Sequence, residues 1–194
     1  MKRVVYVSSY GAEQEKGTGL IAGQYHIEKA LNKLPGVEAI THLRATYIYY
    51  NLLVFINMIK RAGYMAANYG RDDRLVMVSP LDIAAAVVEE IETQTTGKKV
   101  KYVASDVRSC NEIAHILGKA IGKPDLKWIV ISNEEMQKGL EANGVSPFVA
   151  AVLVEMFGAI HSNLLHEDYD KHMPPMRKVK IEDFAKEFAA AFNQ

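Results

Sequence analysis

The stretch RVVYVSS, residues 3–9, decides the fold: it is a short run of apolar and β-branched residues that ends in two hydroxyls. Such a run is typical of a strand buried on both faces of a parallel sheet. Further strands are predicted over residues 37–46, 74–80, 98–105 and 126–132. Between and after them, helical periodicity covers residues 19–34, 51–65, 81–94, 109–122, 133–144, 146–165 and 181–193.

Alternating strands and helices predict an α/β fold with a parallel or mostly parallel sheet. Ser79, Pro80 and Asp82 mark one helix start: a capping hydroxyl, a proline at the first position and an acidic first turn. We place a boundary near residue 80. Residues 81–194 are then a smaller, mostly helical α+β lobe on the substrate side, packed with residues 1–80 as one unit.

Composition excludes several classes of protein. The 194 residues are 49% hydrophobic and 24% charged, as in an ordinary globular protein. Lys plus Arg and Asp plus Glu number 23 each, so no net field attracts nucleic acid. No run approaches the ~20 apolar residues of a membrane span. Cys110 is the only cysteine, which excludes an internal disulfide and favours a cytoplasmic location.

The first predicted strand follows Met1 and Lys2 directly, yet a buried parallel strand needs a neighbour on each side. Two explanations compete. Either the strand lies at a sheet edge, or the chain is the later part of a larger fold.

A resemblance favours the second explanation. The chain is similar to the NmrA-like family, atypical short-chain dehydrogenase relatives that bind NAD(P) on a Rossmann fold. The similarity rests on segments in a shared order: VVYVSSYGA, HIEKAL, GVEAITHLRATYIYYNLL, VSPLDIAAAVVEEI, KVKYVAS, CNEIAHILGKAIGK, WIVISNEEMQKGLEANGVSPFVAAVLVEMFGAI and IEDFAKEFAAAFN.

The resemblance matches only the later two-thirds of such proteins. It implies that residues 1–80 are the C-terminal half of a Rossmann-like NAD(P)-binding domain, without the first βαβ units and their glycine-rich phosphate loop. We therefore expect a truncated relative with impaired cofactor binding. We also expect an exposed apolar flank beside residues 3–9, and self-association through that edge.

The segment GTGLIAG, with Gly17, Gly19 and Gly23, resembles a replacement phosphate loop. A dinucleotide fingerprint must follow its strand at once, so that the pyrophosphate meets the helix N-terminus. Here residues 10–16 intervene. A flexible loop that leads into a helix is the favoured interpretation.

Tyr25 and Lys29 have the Tyr-x-x-x-Lys spacing of a catalytic pair and share one helix face. In the related dehydrogenases, the positions of a helix glutamate, a leucine and a strand-end arginine set the register. These correspond here to Glu28, Leu31 and Arg44, and they place the lysine equivalent at Gln24. The pair is thus one residue out of step, about 100° of rotation, and we expect it on the helix surface.

Candidate ligand-binding residues lie where strands end. Ser8 and Ser9 close the first strand at its carboxyl end, where α/β sheets present ligand-facing groups. The resemblance implies that one of them, together with Gln24, Thr46 and Tyr47, faces the cofactor. It also implies that Tyr10 and Asn51 line the substrate pocket. Arg44 has an alternative role, holding its loop through hydrogen bonds to carbonyls.

We predict no metal site. His161, His166, Glu167, Asp168 and His172 match no compact ligand spacing and suggest a polar loop. Cys110, near a helix start, is expected to be an inert packed thiol.

Three functions remain open. The first, which the resemblance implies, is an NAD(P)H-dependent oxidoreductase acting on a small carbonyl or quinone-like substrate. In such an enzyme the cofactor supplies the hydride. Because Gln24 cannot act as an acid, a non-catalytic NAD(P)-sensing regulator is the second. The third is a truncated relative that binds no dinucleotide. Catalytic residues are unassigned.

Overall fold

A computed structural model describes residues 2–93 and 96–194. Its strands are β1 (Arg3–Ser9), β2 (Ala39–Ala45), β3 (Tyr47–Ile48), β4 (Met65–Ala67), β5 (Arg74–Val78), β6 (Gly97–Val103), β7 (Asp106–Ser109) and β8 (Trp128–Val130). Its α-helices are α1 (Ala22–Leu31), α2 (Ile56–Ala62), α3 (Pro80–Glu92), α4 (Cys110–Ala120), α5 (Asn133–Ala142), α6 (Pro147–His161) and α7 (Ile181–Phe192). The predicted helix over residues 81–94 ends at Gln94, which lies outside the described residues.

The α/β fold class is confirmed. β1, β2 and β6 form a parallel sheet with β2 in the centre. Since β6 begins at residue 97, this sheet takes strands from both sides of the boundary expected near residue 80. The other strands form two small sheets, β3-β5-β7 and β4-β8, so residues 74–78 and 128–130 do not extend the main sheet. β5 and β7 are antiparallel.

Helices α1 and α3 cover opposite faces of the main sheet. Side chains alternate along a strand, so Arg44 points towards Glu28 of α1, whereas Thr41 points towards Glu90 of α3. The main apolar core lies beside this sheet, between the two small sheets and the helices that follow them. Phe184 and Phe188 of α7 are among its fully buried side chains.

The helix start at residue 79 forms as predicted. The Ser79 hydroxyl accepts a hydrogen bond of 3.2 Å from the Leu81 amide, and Pro80 occupies the first turn. Asp82 does more than complement the helix dipole. Its buried carboxylate accepts a 2.7 Å bond from the Ser105 hydroxyl and a 3.0 Å bond from the Val179 amide. It thereby ties α3 to the segment that leads into α7.

Two local predictions are wrong. β1 is mostly half-buried rather than buried on both faces, because within the described residues only β2 pairs with it. The expected helix over residues 51–65 begins instead as a 3-10 helix, Tyr49–Phe55. α2 follows it and is capped at its C-terminus by Gly63, whose φ of 80° is left-handed.

Within the described chain, no single helix has the length and apolar character to cross a bilayer. By length and composition alone, α6 with the following segment Leu164–Lys171 could, although the two are bent by 66°.

Gly19 is required for packing. It has a φ of 55°, and a Cβ there would lie 2.1 Å from the Val152 carbonyl oxygen of α6. The 3-10 turn Gly19–Ile21 therefore lies directly against α6. This close approach accounts for one glycine of the GTGLIAG segment without any phosphate.

Replacement of Gly19 and of Gly23 by alanine should change the free energy of unfolding in opposite directions. Gly19→Ala should lower the free energy of unfolding by at least about 2 kcal/mol, through overlap with α6 and a disfavoured backbone conformation. Gly23→Ala should raise it by about 0.5–1 kcal/mol, because Gly23 is helical and has nothing within 4 Å of the added carbon. Urea unfolding measures both. Equal effects would contradict the packing role of Gly19.

Candidate functional site

A cleft of about 280 Å³ opens at the carboxyl ends of β1 and β2. All the residues proposed from sequence for the cofactor and substrate line it: Ser8, Ser9, Tyr10, Gln24, Thr46, Tyr47 and Asn51. Parallel strands in register bring them together: Ser9 pairs with Ala45, and the Tyr10 amide donates to the Ala45 carbonyl at 3.0 Å. Their roles in binding stay a prediction.

The two serines differ in burial. Each donates its hydroxyl proton to the protein, Ser8 to the Glu28 carboxylate at 2.6 Å and Ser9 to the carbonyl of Tyr10 at 3.0 Å, so each can offer a ligand only an acceptor oxygen. Ser8 is buried, whereas Ser9 is half-buried. Ser9 is therefore the better candidate for contact with a ligand.

Amide groups supply further donors at the cleft. The Gln24 side-chain oxygen accepts from the Tyr6 hydroxyl at 2.5 Å. This bond orients the amide, whose nitrogen has two protons to donate. Asn51 lies exposed at the rim. Thr46 is buried and donates at 3.3 Å to the Val103 carbonyl, so it holds the strand ends together.

The tyrosines of the cleft are neutral and poor acids. The Tyr47 and Tyr69 hydroxyls share a hydrogen bond of 3.1 Å, while the Tyr10 hydroxyl is buried with no partner within the described residues. Burial raises the pKa of Tyr10 and of Tyr47 well above its usual range. Neither tyrosine is thus tuned to release a proton near neutral pH.

The apolar wall of the cleft was not identified from sequence. It comes mainly from α6 and the segment after it, Met156, Phe157, Ile160 and Leu165, together with Ile21 of the turn that packs against α6. α6 is apolar over most of its surface, so periodicity could not say which side faces a ligand. The sequence holds one signal, Gly19. A glycine allows another helix to approach its backbone closely, and Gly19 lies where α6 does so.

Among the residues that the structure describes, no charged side chain lines the cleft. Its volume of about 280 Å³ lies just below the ~300–1,000 Å³ typical of ligand pockets. Neutral donors and acceptors facing an apolar wall fit an uncharged ring that carries an amide or a carbonyl. They do not fit a pyrophosphate, which needs cations or several backbone amides.

Tyr25 and Lys29 are not at this site. They contact each other on the surface of α1, where the lysine amine donates to the tyrosine hydroxyl and lies over its ring. The tyrosine hydroxyl is also 3.5 Å from the exposed Glu15. The pair does not line the cleft, so the structure places it on the helix surface, as the register argument predicts.

Arg44 is the centre of a buried ionic network, not a ligand of carbonyls as suggested from sequence. Its guanidinium donates two bonds to Glu28, at 2.9 and 3.1 Å, and further bonds to Glu13 at 2.8 Å and Asp168 at 3.2 Å. The Tyr102 hydroxyl joins it at 3.1 Å. Hydrogen bonds to Glu28 and Tyr102 outweigh desolvation and raise the pKa of Arg44 further.

Three carboxylates meet one guanidinium in this network. Glu13 is the least well satisfied: one of its oxygens is buried without a partner in the described residues. Burial raises the pKa of Glu13, although Arg44 opposes that shift. A second cavity of about 870 Å³ borders the network, between β6 and residues 174–177.

Cys110 and the polar candidates His161, His166, Glu167, Asp168 and His172 do not line the cleft. Cys110 is fully buried, and burial raises the pKa of its thiol. Among the described residues, no group of three or more His, Cys, Asp or Glu side chains could hold a metal ion.

His166 contacts a residue of the cleft. Its ring is fully buried and lies 5.7 Å, between centroids, from the ring of Tyr10. Burial lowers the pKa of His166 to about 4, with a smaller contribution from Arg74. The imidazole is therefore neutral at physiological pH.

Loss of Arg44 should destabilise the fold strongly. Arg44→Met leaves Glu13, Glu28 and Asp168 without their shared cation, and we expect a loss of about 3–5 kcal/mol at pH 8. Burial already raises the pKa of Glu13, and without the opposing charge of Arg44 this carboxyl binds a proton more readily in the folded state, so the loss should shrink towards pH 4. Denaturant unfolding at both pH values tests this. The matched control is Arg74→Met, whose ion pair with Asp170 is exposed and should contribute less than about 1 kcal/mol.

His166 should make the fold sensitive to acid. In the unfolded state His166 binds a proton near pH 6.5, whereas in the folded state it becomes protonated only near pH 4. Stability is therefore present above pH 6.5 and falls as the pH drops to 4, by roughly 3 kcal/mol from this group. His166→Phe should reduce that slope, whereas His26→Phe, at an exposed position, should leave it unchanged. Identical slopes in all three proteins would exclude this role.

No family model matches the chain, and no curated protein is significantly similar to it in sequence. Solved structures are similar in fold. An NADPH-dependent quinone oxidoreductase from Escherichia coli, complexed with NADPH, is 20% identical with a TM-score of 0.80; the alignment covers 96% of this chain and 65% of that one. Triphenylmethane reductase from Citrobacter sp., complexed with NADP(H), is 18% identical with a TM-score of 0.74, covering 97% and 66%.

A nucleoside-diphosphate-sugar epimerase from Staphylococcus aureus is 19% identical with a TM-score of 0.75, and the alignment covers 96% of this chain and 65% of the epimerase. The chain thus spans about two thirds of the length of these structures. At such identities the similarity establishes a Rossmann-like α/β fold of the kind found in NAD(P)-dependent reductases and epimerases.

Proposed function

We propose that the chain is an NmrA-like oxidoreductase-type protein whose cleft holds the nicotinamide end of NAD(P)(H) beside a small carbonyl or quinone-like substrate. One observation carries the proposal. An uncharged cleft lies at the carboxyl ends of two parallel strands, where doubly wound sheets bind ligands, and Ser9 and Gln24 offer unused hydrogen-bonding groups there.

The cofactor would supply the hydride, and the residues of this chain would orient it. The Gln24 amide and the Ser9 hydroxyl can hold the carboxamide or a ribose hydroxyl. Phe157 and Met156 offer an apolar surface to a flat ring and exclude water from it. The solved structures that contain NADPH or NADP(H) support this placement by their shared fold alone.

We propose that the affinity of this chain for the cofactor is weak. The described residues that line the cleft offer no cation to the pyrophosphate, and the geometry of Gly19 serves contact with α6. The contacts to the nicotinamide end alone would then carry most of the binding energy. A cytoplasmic location, compatible with the buried single cysteine, is part of the same proposal.

A non-catalytic sensor is the alternative, and the acid–base chemistry of the cleft favours it. Tyr25 and Lys29 lie elsewhere, and the tyrosines of the cleft have raised pKa values. Without a proton donor, reduction of a simple ketone is disfavoured. The third possibility, a chain that binds no dinucleotide, predicts that NADPH does not bind at all.

Titration of NADPH into the full chain, followed by nicotinamide fluorescence and calorimetry, separates these possibilities. We expect saturable binding with a Kd in the range of about 0.1–1 mM, equivalent to roughly −4 to −5.5 kcal/mol. Asn51→Trp, which places a bulky ring at the exposed rim, should weaken binding about tenfold or more, a change of ~1.4 kcal/mol.

Tyr25→Trp is the matched control, because it adds the same ring on α1 outside the cleft and should leave the Kd unchanged. Absence of saturation at about 5 mM NADPH would contradict dinucleotide binding. With binding established, turnover of a panel of benzoquinones and naphthoquinones identifies an enzyme, and binding without turnover of the panel identifies a sensor.

A further inference from the structure

Tyr69 lies behind the cleft rather than in it. It follows β4, is 1% exposed, and is not one of the described residues that line the cleft. Its hydroxyl shares the 3.1 Å hydrogen bond with the Tyr47 hydroxyl, and its ring lies 5.5 Å, between centroids, from the ring of Phe157. Tyr47 and Phe157 both line the cleft, and they belong to β3 and α6. One buried side chain thus connects the β3 side of the cleft with the α6 side.

Trp128 holds Tyr69 in place. The Trp128 indole nitrogen donates to the Tyr69 carbonyl at 2.8 Å, and the two rings are 5.3 Å apart between centroids. Gly70 permits this approach, because a Cβ there would lie 2.4 Å from a carbon of the Trp128 ring. A close-packed interior transmits strain rather than absorbing it, so Tyr69 is a rigid support for the residues in front of it.

The residue before Tyr69 anchors α6 to the same segment. Asn68 is buried, and its side-chain nitrogen donates to the Val154 carbonyl of α6 at 2.9 Å and to the Asn133 side-chain oxygen at 2.8 Å. Val154 precedes Phe157 by about one turn of the helix. Asn68 therefore fixes the position of α6, and Tyr69 limits how far the Phe157 ring can move away from the cleft.

We propose that Tyr69 is a positioning residue that sets the width of the cleft and thereby the size of the flat ring that binds there. The assignment rests on the proposed function, since the ring in question is that of the quinone-like substrate. The cleft has about 280 Å³ for the nicotinamide and the substrate ring together, which favours a quinone of one ring over one of two fused rings. The contacts of Tyr69 with Tyr47 and Phe157 oppose the widening that a second ring needs.

Substitution of Tyr69 should widen the cleft in a graded way. Tyr69→Leu removes both the hydroxyl bond and the ring contact, and the side chains around the resulting cavity relax partly into it. Phe157 is one of these side chains, so its movement enlarges the cleft. Tyr69→Phe removes only the hydroxyl, so Tyr47 loses its partner while Phe157 keeps its support. The leucine variant should therefore have the larger effect on ring size.

Calorimetric titration of two quinones into the full chain, with NADP⁺ present, tests the assignment. Tetramethylbenzoquinone has one ring and dimethylnaphthoquinone has two, and the oxidised cofactor has no hydride to transfer. The wild-type chain should bind the one-ring quinone at least as tightly as the other. Tyr69→Leu should shift the ratio of the two dissociation constants at least about tenfold towards the two-ring quinone, corresponding to ~1.4 kcal/mol, and Tyr69→Phe about two- to threefold.

Phe188→Leu is the matched control. It shortens a fully buried aromatic side chain of α7 outside the cleft, so it should lower the free energy of unfolding and leave the ratio unchanged. Circular dichroism shows whether each variant folds, and if Tyr69→Leu does not, the smaller shift in Tyr69→Phe decides.

Two results would overturn the assignment, and they differ in what else they exclude. If the wild-type chain binds quinone and the ratio is the same in the Tyr69 variants, or shifts equally in Phe188→Leu, Tyr69 does not set the ring size, although the proposed function stands. If the wild-type chain binds neither quinone, the proposed substrate class is wrong as well.

Discussion

One guanidinium holds the functional end of this molecule together. Arg44 stands at the carboxyl end of β2 and bonds to Glu28 of α1, to Glu13 in the turn after β1, to Tyr102 of β6 and to Asp168 in the segment after α6. Four segments thus bond to one side chain of a fifth, β2. Because it is buried, each bond forms in a medium where an unpaired charge is very costly.

The cleft depends on that convergence. Glu28 accepts bonds from both Arg44 and the Ser8 hydroxyl, so the network fixes where β1 ends and in which direction the chain turns. Ser9 and Tyr10 follow at once and line the cleft. The position of α1 is fixed by the same glutamate, and this position brings Gln24 to the cleft one turn earlier. The ion cluster and the candidate cleft are therefore neighbours that share a helix and two strand ends.

Local signals in the sequence predicted much of this and left a defined remainder. Ser79 and Pro80 mark a helix start through contacts within one turn. The register that excluded Tyr25 came instead from the resemblance to related dehydrogenases, matched at Glu28, Leu31 and Arg44. The partners of Arg44 could not be foreseen, since Glu13 and Asp168 are 31 and 124 residues away in sequence. The division of the strands into three sheets could not be predicted either, because an apolar run such as residues 74–78 does not specify which strand it pairs with.

The acid–base state of the cleft limits the reactions that the proposed function can include. A hydride added to a simple ketone leaves an alkoxide, which needs a proton donor at once, and the tyrosines nearest the cleft hold their protons too firmly to serve. A hydride added to a quinone leaves a delocalised anion that is a far weaker base and can take its proton from water after release. The exposed Asn51 lies at the rim of the cleft, so solvent reaches the site and permits that exchange. Among the substrates of the proposed function, the geometry and the raised tyrosine pKa values together favour the quinone-like class.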